Sequence, residues 1–189
     1  MPLKRNSISN STPKDVVFGA GIVVKNLVFA DNDWTYDELG ATNGGNKVSF
    51  TREFVDLELD GKQVKIENMD IEVGTTGKIT MNLAEYKLET LTTALGLAQD
   101  TSDNTTGFKC YKPSGKPTYI ENLGFVGFTA NNRPVIVIFD KATCLGAYEV
   151  EQKNKEQGVI ALEFDAVAPE GTEDYTTLPV RFYFPTETV

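Results

Sequence analysis

The chain has 189 residues, enough for one well-buried core and short for two, and its 40% hydrophobic and 24% charged residues are ordinary for a soluble domain. Its 27 acids against 18 bases give a formal net charge of −9, which disfavours tight phosphate binding, and the absence of histidine removes Ser-His-Asp and Cys-His catalysis and imidazole metal ligation. No apolar run approaches the ~20 residues that span a bilayer, and the opening Met1-Pro2-Leu3-Lys4-Arg5-Asn6-Ser7 lacks the apolar segment of a secretory signal, so folding in a cytoplasm is expected.

Residues 1 to about 15 are polar, with Ser7, Ser9, Asn10, Ser11, Thr12 and Pro13, and read as a flexible arm ahead of a single domain over 16–189. Val16 to Ala30 is apolar and β-branched, broken by Gly19 and Gly21, and suits a first strand or two. Asp31 to Asn46 reads as a long loop carrying Trp34, Tyr36 and the Gly44-Gly45 pair. From Lys47 the pattern is strand-like, with Val48 and Phe50 on one face. Val55, Leu57 and Leu59 then take the opposite parity, so a bulge or bend is expected near Arg52 to Phe54. Asp60-Gly61, between Leu57-Glu58-Leu59 and the run through Val64 and Ile66, is a strong hairpin signal. Met69, Ile71 and Val73 alternate, as do Ile79, Met81 and Leu83 beyond an expected turn at Gly74-Thr75-Thr76-Gly77.

The period then changes. Ala84, Leu88, Leu91 and Leu95 form one stripe of an amphipathic helix over about residues 84–95, with Gly96 where a C-cap belongs. Gln99 to Thr118 is polar with Gly and Pro punctuation and reads as an exposed loop. Strands resume at Tyr119 to Thr129, turn at Asn131-Asn132-Arg133-Pro134 and return through Val135 to Phe139. The unbroken Val137-Ile138-Phe139 suggests cover on both faces. Ala147 to Glu151 and Ile160 to Ala166 suit a hairpin around Asn154 to Gly158, and a last strand carries Val180, Phe182 and Phe184 on one face, Arg181 and Tyr183 on the other. The expected fold is mainly β: about eight strands in a β-sandwich or barrel with one flanking helix.

No motif points to chemistry. Asp31-Asn32-Asp33-Trp34-Thr35-Tyr36-Asp37 spaces oxygen side chains as a calcium loop does, but Tyr36 and Thr42 stand where the glycine and the bidentate glutamate belong. Gly74-Thr75-Thr76-Gly77-Lys78-Ile79 has the wrong glycine spacing for a phosphate loop and Ile79 in place of the magnesium-binding hydroxyl. Gly19-x-Gly21 lacks the third glycine of a dinucleotide fingerprint, which falls at Val24. Cys110 and Cys144 belong to no Cys-x-x-Cys unit, and two free thiols are expected rather than a disulfide. No catalytic, cofactor or metal site is expected.

The segment Asp33-Trp34 through Leu39-Gly40-Ala41-Thr42-Asn43-Gly44-Gly45-Asn46, followed by the acidic strand end Asp56-Leu57-Glu58-Leu59-Asp60-Gly61, resembles the major tail-tube proteins of long-tailed, non-contractile bacteriophages and related prophages. Ile79 to Leu95, Pro134-Val135-Ile136-Val137-Ile138 and Ala161-Leu162-Glu163-Phe164-Asp165-Ala166 extend the resemblance in order, whereas Gln99–Thr118 matches nothing in that family. The resemblance implies a β-sandwich with a side helix, six copies closing a ring through a continuous barrel, and rings stacking into a virion tube assembled in the host cytoplasm. Genome DNA passes such a lumen without specific binding. The implied partners are further copies of the chain and the tape-measure, tail-tip and terminator proteins; no membrane is involved. The residues expected to serve self-assembly are Trp34, Tyr36, Asp60 and Gly61. Three other readings stay open: the tube of a contractile tail or secretion system, a β-sandwich binding or decoration module, and, last, an enzyme resting on carboxylates.

Overall fold

Eleven strands and one short helix form from these alternating runs, counted among the described residues of the computed structural model: Thr12, 16–144, 149–152, 154, 155, 157–172 and 177–186. The expected arm at 1–15 lies outside them apart from Thr12. In chain order the elements are β1 (Val17–Ala30), β2 (Asp33–Glu38), β3 (Thr42–Asp56), β4 (Asp70–Leu83), α1 (Leu88–Ala94), β5 (Leu97–Asp100) and β6 (Cys110–Pro113). The remainder are β7 (Tyr119–Thr129), β8 (Pro134–Cys144), β9 (Val150–Glu151), β10 (Val159–Ala166) and β11 (Val180–Tyr183).

One antiparallel sheet runs β2-β1-β7-β8-β10-β4-β3. The second edge of β8 is divided: β11 pairs with Ile136 to Phe139, and β10 with Ala142 to Cys144. The sheet opens into two layers there. Ile79, Met81 and Leu83 of β4, with Ile160, Leu162 and Phe164 of β10, pack against Ile120, Leu123, Val137, Phe139 and Ala142 of β7 and β8. The outer face of β7 and β8 is covered too. A register shift between Lys25 and Val28, with Asn26 at φ 55°, turns the phase of β1, so Val23 joins the main core while Val24 and Leu27 reach the second cluster with Val126, Ile136 and Ile138. This accounts for Val137-Ile138-Phe139: all three are buried because both faces of β8 are.

Leu27 closes so tightly on β7 that a Cβ at Gly124 would lie 2.3 Å from its Cδ2 and 3.1 Å from its Cβ. Gly124→Ala is expected to cost about 1–3 kcal/mol through overpacking, read as a lower urea midpoint at unchanged slope.

Several elements differ from the sequence reading. Asp31–Asn46 is not a loop: Asp31 and Asn32, at φ 52° and 63°, make a two-residue turn of the primed kind, β2 follows, and β3 begins at Thr42. Trp34 and Tyr36 therefore stand on a strand. The pairing jumps from Thr42↔Leu83 to Asn46↔Met81, and Gly44 and Gly45 take φ of 87° and 85° in the bulge between, which explains the glycine pair. The helix is shorter than 84–95. The Ala84 and Glu85 amides both donate to the Ala41 carbonyl, and the Glu85 carboxylate accepts from the Ala41 amide, so 84–87 are tied to the start of β3 before α1 winds. Gly96 follows the Leu95 cap at φ 58°, as expected of a helix end. Gly74-Thr75-Thr76-Gly77 is no turn but lies within β4, paired in that order with Glu53, Arg52, Thr51 and Phe50.

Candidate functional site

The β3–β4 hairpin outgrows the sandwich. β10 accompanies β4 only from Lys78 to Leu83, so the rest of the pair, Thr51–Asp56 against Asp70–Thr76, is a two-stranded ribbon with no third strand among the described residues. The register shift expected near Arg52 to Phe54 occurs between Glu53 and Phe54 and leaves Val73 as the extra residue. Its effect is to make both ribbon faces apolar. Phe54 lies on the face that continues the core side, and the cross-strand pair Val55↔Ile71 lies on the other. Phe54, Val55, Ile71 and Val73 are all 49–59% exposed. A two-stranded hairpin gains little from its own contacts in water, and contiguous exposed apolar surface marks an interaction site.

Beyond the ribbon the chain does not form the tight hairpin expected at Asp60-Gly61. The Leu57 amide donates to the Met69 carbonyl at 2.9 Å, closing a 57–69 loop in which Asp60-Gly61 is one local turn, with Gly61 at φ 86° and the Lys62 amide on the Leu59 carbonyl. Lys62 is drawn back onto Asp56 and the Leu57 carbonyl, and Lys65 onto Asp70 at 3.0 Å. The outward surface is thus Leu57, Leu59, Val64 and Ile66, all exposed, set among Glu58, Asp60 and Glu67.

Arg52 stiffens the ribbon, its guanidinium bridging to Glu72 across the strands and lying 4.7 Å from the Phe54 ring centre. The hydrogen bond from Arg52 holds the Glu72 carboxyl below its ordinary pKa. A group depressed in the fold contributes above its ordinary value and loses that contribution as pH falls through the folded one, here on the acid side of the ordinary glutamate range. In a carboxyl-carbon NMR titration, Arg52→Gln is expected to raise the Glu72 midpoint towards the ordinary value.

The sheet ends in two open borders, β2 and β3, which have no outer partner among the described residues. Trp34 and Tyr36 belong to the first and Asp60 and Gly61 to the loop beyond the second, so the four residues divide between opposite borders. Trp34 is half-buried, 5.1 Å from Phe29 and 5.3 Å from Tyr183 between ring centres, and packs against the outer cluster. Tyr36, 45% exposed, stays available. The sequence reading missed Phe54, Val55, Ile71 and Val73 as candidates. The signal was the parity slip itself, since a strand apolar on both faces needs cover on both.

The face of β10-β4-β3 turned away from the core carries Lys47, Ser49, Thr51, Lys78, Thr80, Glu163 and Asp165. Lys78 donates to Glu163 at 2.6 Å and lies 3.4 Å from Asp165, and these carboxylates raise its pKa.

Cys110 and Cys144 are half-buried, and neither forms a disulfide. Burial first, then Asp103, pushes the Cys110 thiol up, opposite to the activation a nucleophile needs. Among the described residues no three His, Cys, Asp or Glu side chains converge to hold a metal, and no helix is long and apolar enough to cross a membrane.

No protein-family model matches the chain, and no curated protein does. Among solved structures it is similar to the tail of an empty GTA particle refined with C6 helical symmetry, at 10% identity and a TM-score of 0.42, covering 79% of this chain and 92% of that one.

Proposed function

We propose that this chain is a non-enzymatic structural subunit that closes into six-membered rings through its two sheet borders and stacks those rings into the tube of a long, non-contractile phage tail. The observation that carries the reading is the β3–β4 ribbon, which sets apolar side chains on both faces and covers neither. A border strand with unpaired amides and carbonyls is a hazard to a monomer and a joint to an assembly. β2 and β3 are different surfaces on one protomer, as a head-to-tail contact that closes by rotation requires. The sequence resemblance to tail-tube proteins points the same way.

In this reading the polar face of β10-β4-β3 lines the channel. Its hydroxyls and mixed charges are hydrated, and Lys78 is held by Glu163 and Asp165 rather than offered to phosphate, so DNA slides past without being gripped. The subunit then works in the virion, with terminator, tape-measure and tail-tip proteins at the tube's ends and within it.

Sedimentation velocity and negative-stain microscopy of the purified chain over a concentration series test this. Six-fold rings and stacked tubes are expected; a species that stays monomeric at every concentration sinks the reading.

A further inference from the structure

Gln99–Thr118, the stretch without counterpart in the resemblance, is not a plain loop. Asp100 accepts from the Ser102 amide and hydroxyl, Asp103 does the same for Thr105, and these turns bring β6 back onto β5 from Leu97↔Pro113 to Asp100↔Cys110. The small hairpin stands beside α1, tied to its end by the Ser114 amide on the Gly96 carbonyl. Between them runs an apolar groove of about 810 Å³, floored by Leu91, Leu95 and Leu97 and walled by Leu88, Phe108 and Tyr111. Phe108 is 79% exposed, a large cost for a side chain that serves only its own chain. Lys109 lies on the rim, and Lys116 lines the adjoining cavity; neither makes an ion pair among the described residues, whereas Lys112 is held by Asp100 at 2.5 Å.

We propose that this groove receives the 57–69 loop of a second copy in the next ring, an inference that rests on the tube reading above. The fit is chemical on two counts. The loop presents four exposed aliphatic side chains, Leu57, Leu59, Val64 and Ile66, to a groove lined by leucines and aromatics. Both loop lysines are turned back onto Asp56 and Asp70, so Glu58, Asp60 and Glu67 remain at its surface, opposite in sign to Lys109 and Lys116. The rim charges set the register of the stack, and the aliphatic side chains supply its strength.

The test uses the full chain in four variants: Phe108→Glu, Lys109→Glu, Asp60→Lys, and the last two combined. Phe108→Glu is expected to leave rings intact with an unchanged melting curve but to abolish stacking. Each charge reversal alone is expected to weaken stacking about tenfold or more, and the combination to recover to within about threefold of the parent, the signature of a direct pair. Stacks that form regardless of Phe108, or charge effects that simply add, overturn the inference while leaving the ring reading in place. Deletion of residues 1–11 that reproduces the Phe108→Glu defect, with no charge rescue, gives the groove to the chain's own N-terminal segment and also overturns it. Failure of the parent chain to form rings at all is instead the failure of the tube reading.

Discussion

Val55→Lys combined with Ile71→Glu is expected to abolish the proposed ring and tube formation and to leave the folded monomer within about 2 °C of the parent melting temperature. The pair is chosen because the two residues stand directly opposite across the ribbon, at 52% and 50% exposure. Opposite charges facing each other preserve a favourable cross-strand contact, so the ribbon keeps its shape and the chain its net charge. Only the apolar surface is lost. Burying the exposed half of two such side chains is worth about 2–3 kcal/mol per contact, or about a hundredfold in each association constant, and a closed ring repeats the loss at every joint. Sedimentation velocity reads the effect. Unchanged assembly would mean that the ribbon's apolar faces are not an interface.

Phe139→Ala carries the largest expected cost to the fold, about 3–5 kcal/mol, or roughly 10 °C in melting temperature for a chain of this size. Phe139 is fully buried, pairs with Leu123 on β7 and Val180 on β11, and points its ring at Gly77, where a Cβ would lie 3.1 Å from its Cζ. The ring thus fills the seam where β8 passes from one layer to the other, a site braced by neighbours on three strands. Braced sites collapse least when a side chain is cut away, so most of the cavity cost remains. A loss below about 1 kcal/mol would show that the seam repacks freely.

The sequence made the core strands plain because their environment is two-sided or strictly alternating. Ile79-x-Met81-x-Leu83 and Ile160-x-Leu162-x-Phe164 read correctly since each has one dry face, and Val137-Ile138-Phe139 since both of its faces are dry. Reading failed where local signals compete with tertiary pairing. Glycine and threonine at 74–77 look like a turn, yet β3 supplies partners for the whole stretch. The leucine stripe starting at Ala84 looks like three helical turns, yet hydrogen bonds to Ala41 hold its first part out of the helix. β5 and β6 were hidden because their strands are four residues each and their stability comes from Asx turns and from α1. Of the four assembly residues read from sequence, Trp34 also packs against Phe29 and Tyr183 of its own chain. The ribbon pair Val55–Ile71 was not among them because the parity slip reads locally as a bulge or bend, which by itself says nothing of an uncovered second face.

The double cover of β7 and β8 has a mechanical corollary. A strand pair sandwiched between two dry layers, and pinned to β11 by Arg181 on Asp140 and Asn122, deforms little under load. The two-stranded ribbon, with no layer on either side, is by far the softer spring. In a stack held through the 57–69 loop at the end of that ribbon, as proposed above, bending strain is expected to enter at the loop and its ribbon while the doubly covered strands keep their spacing.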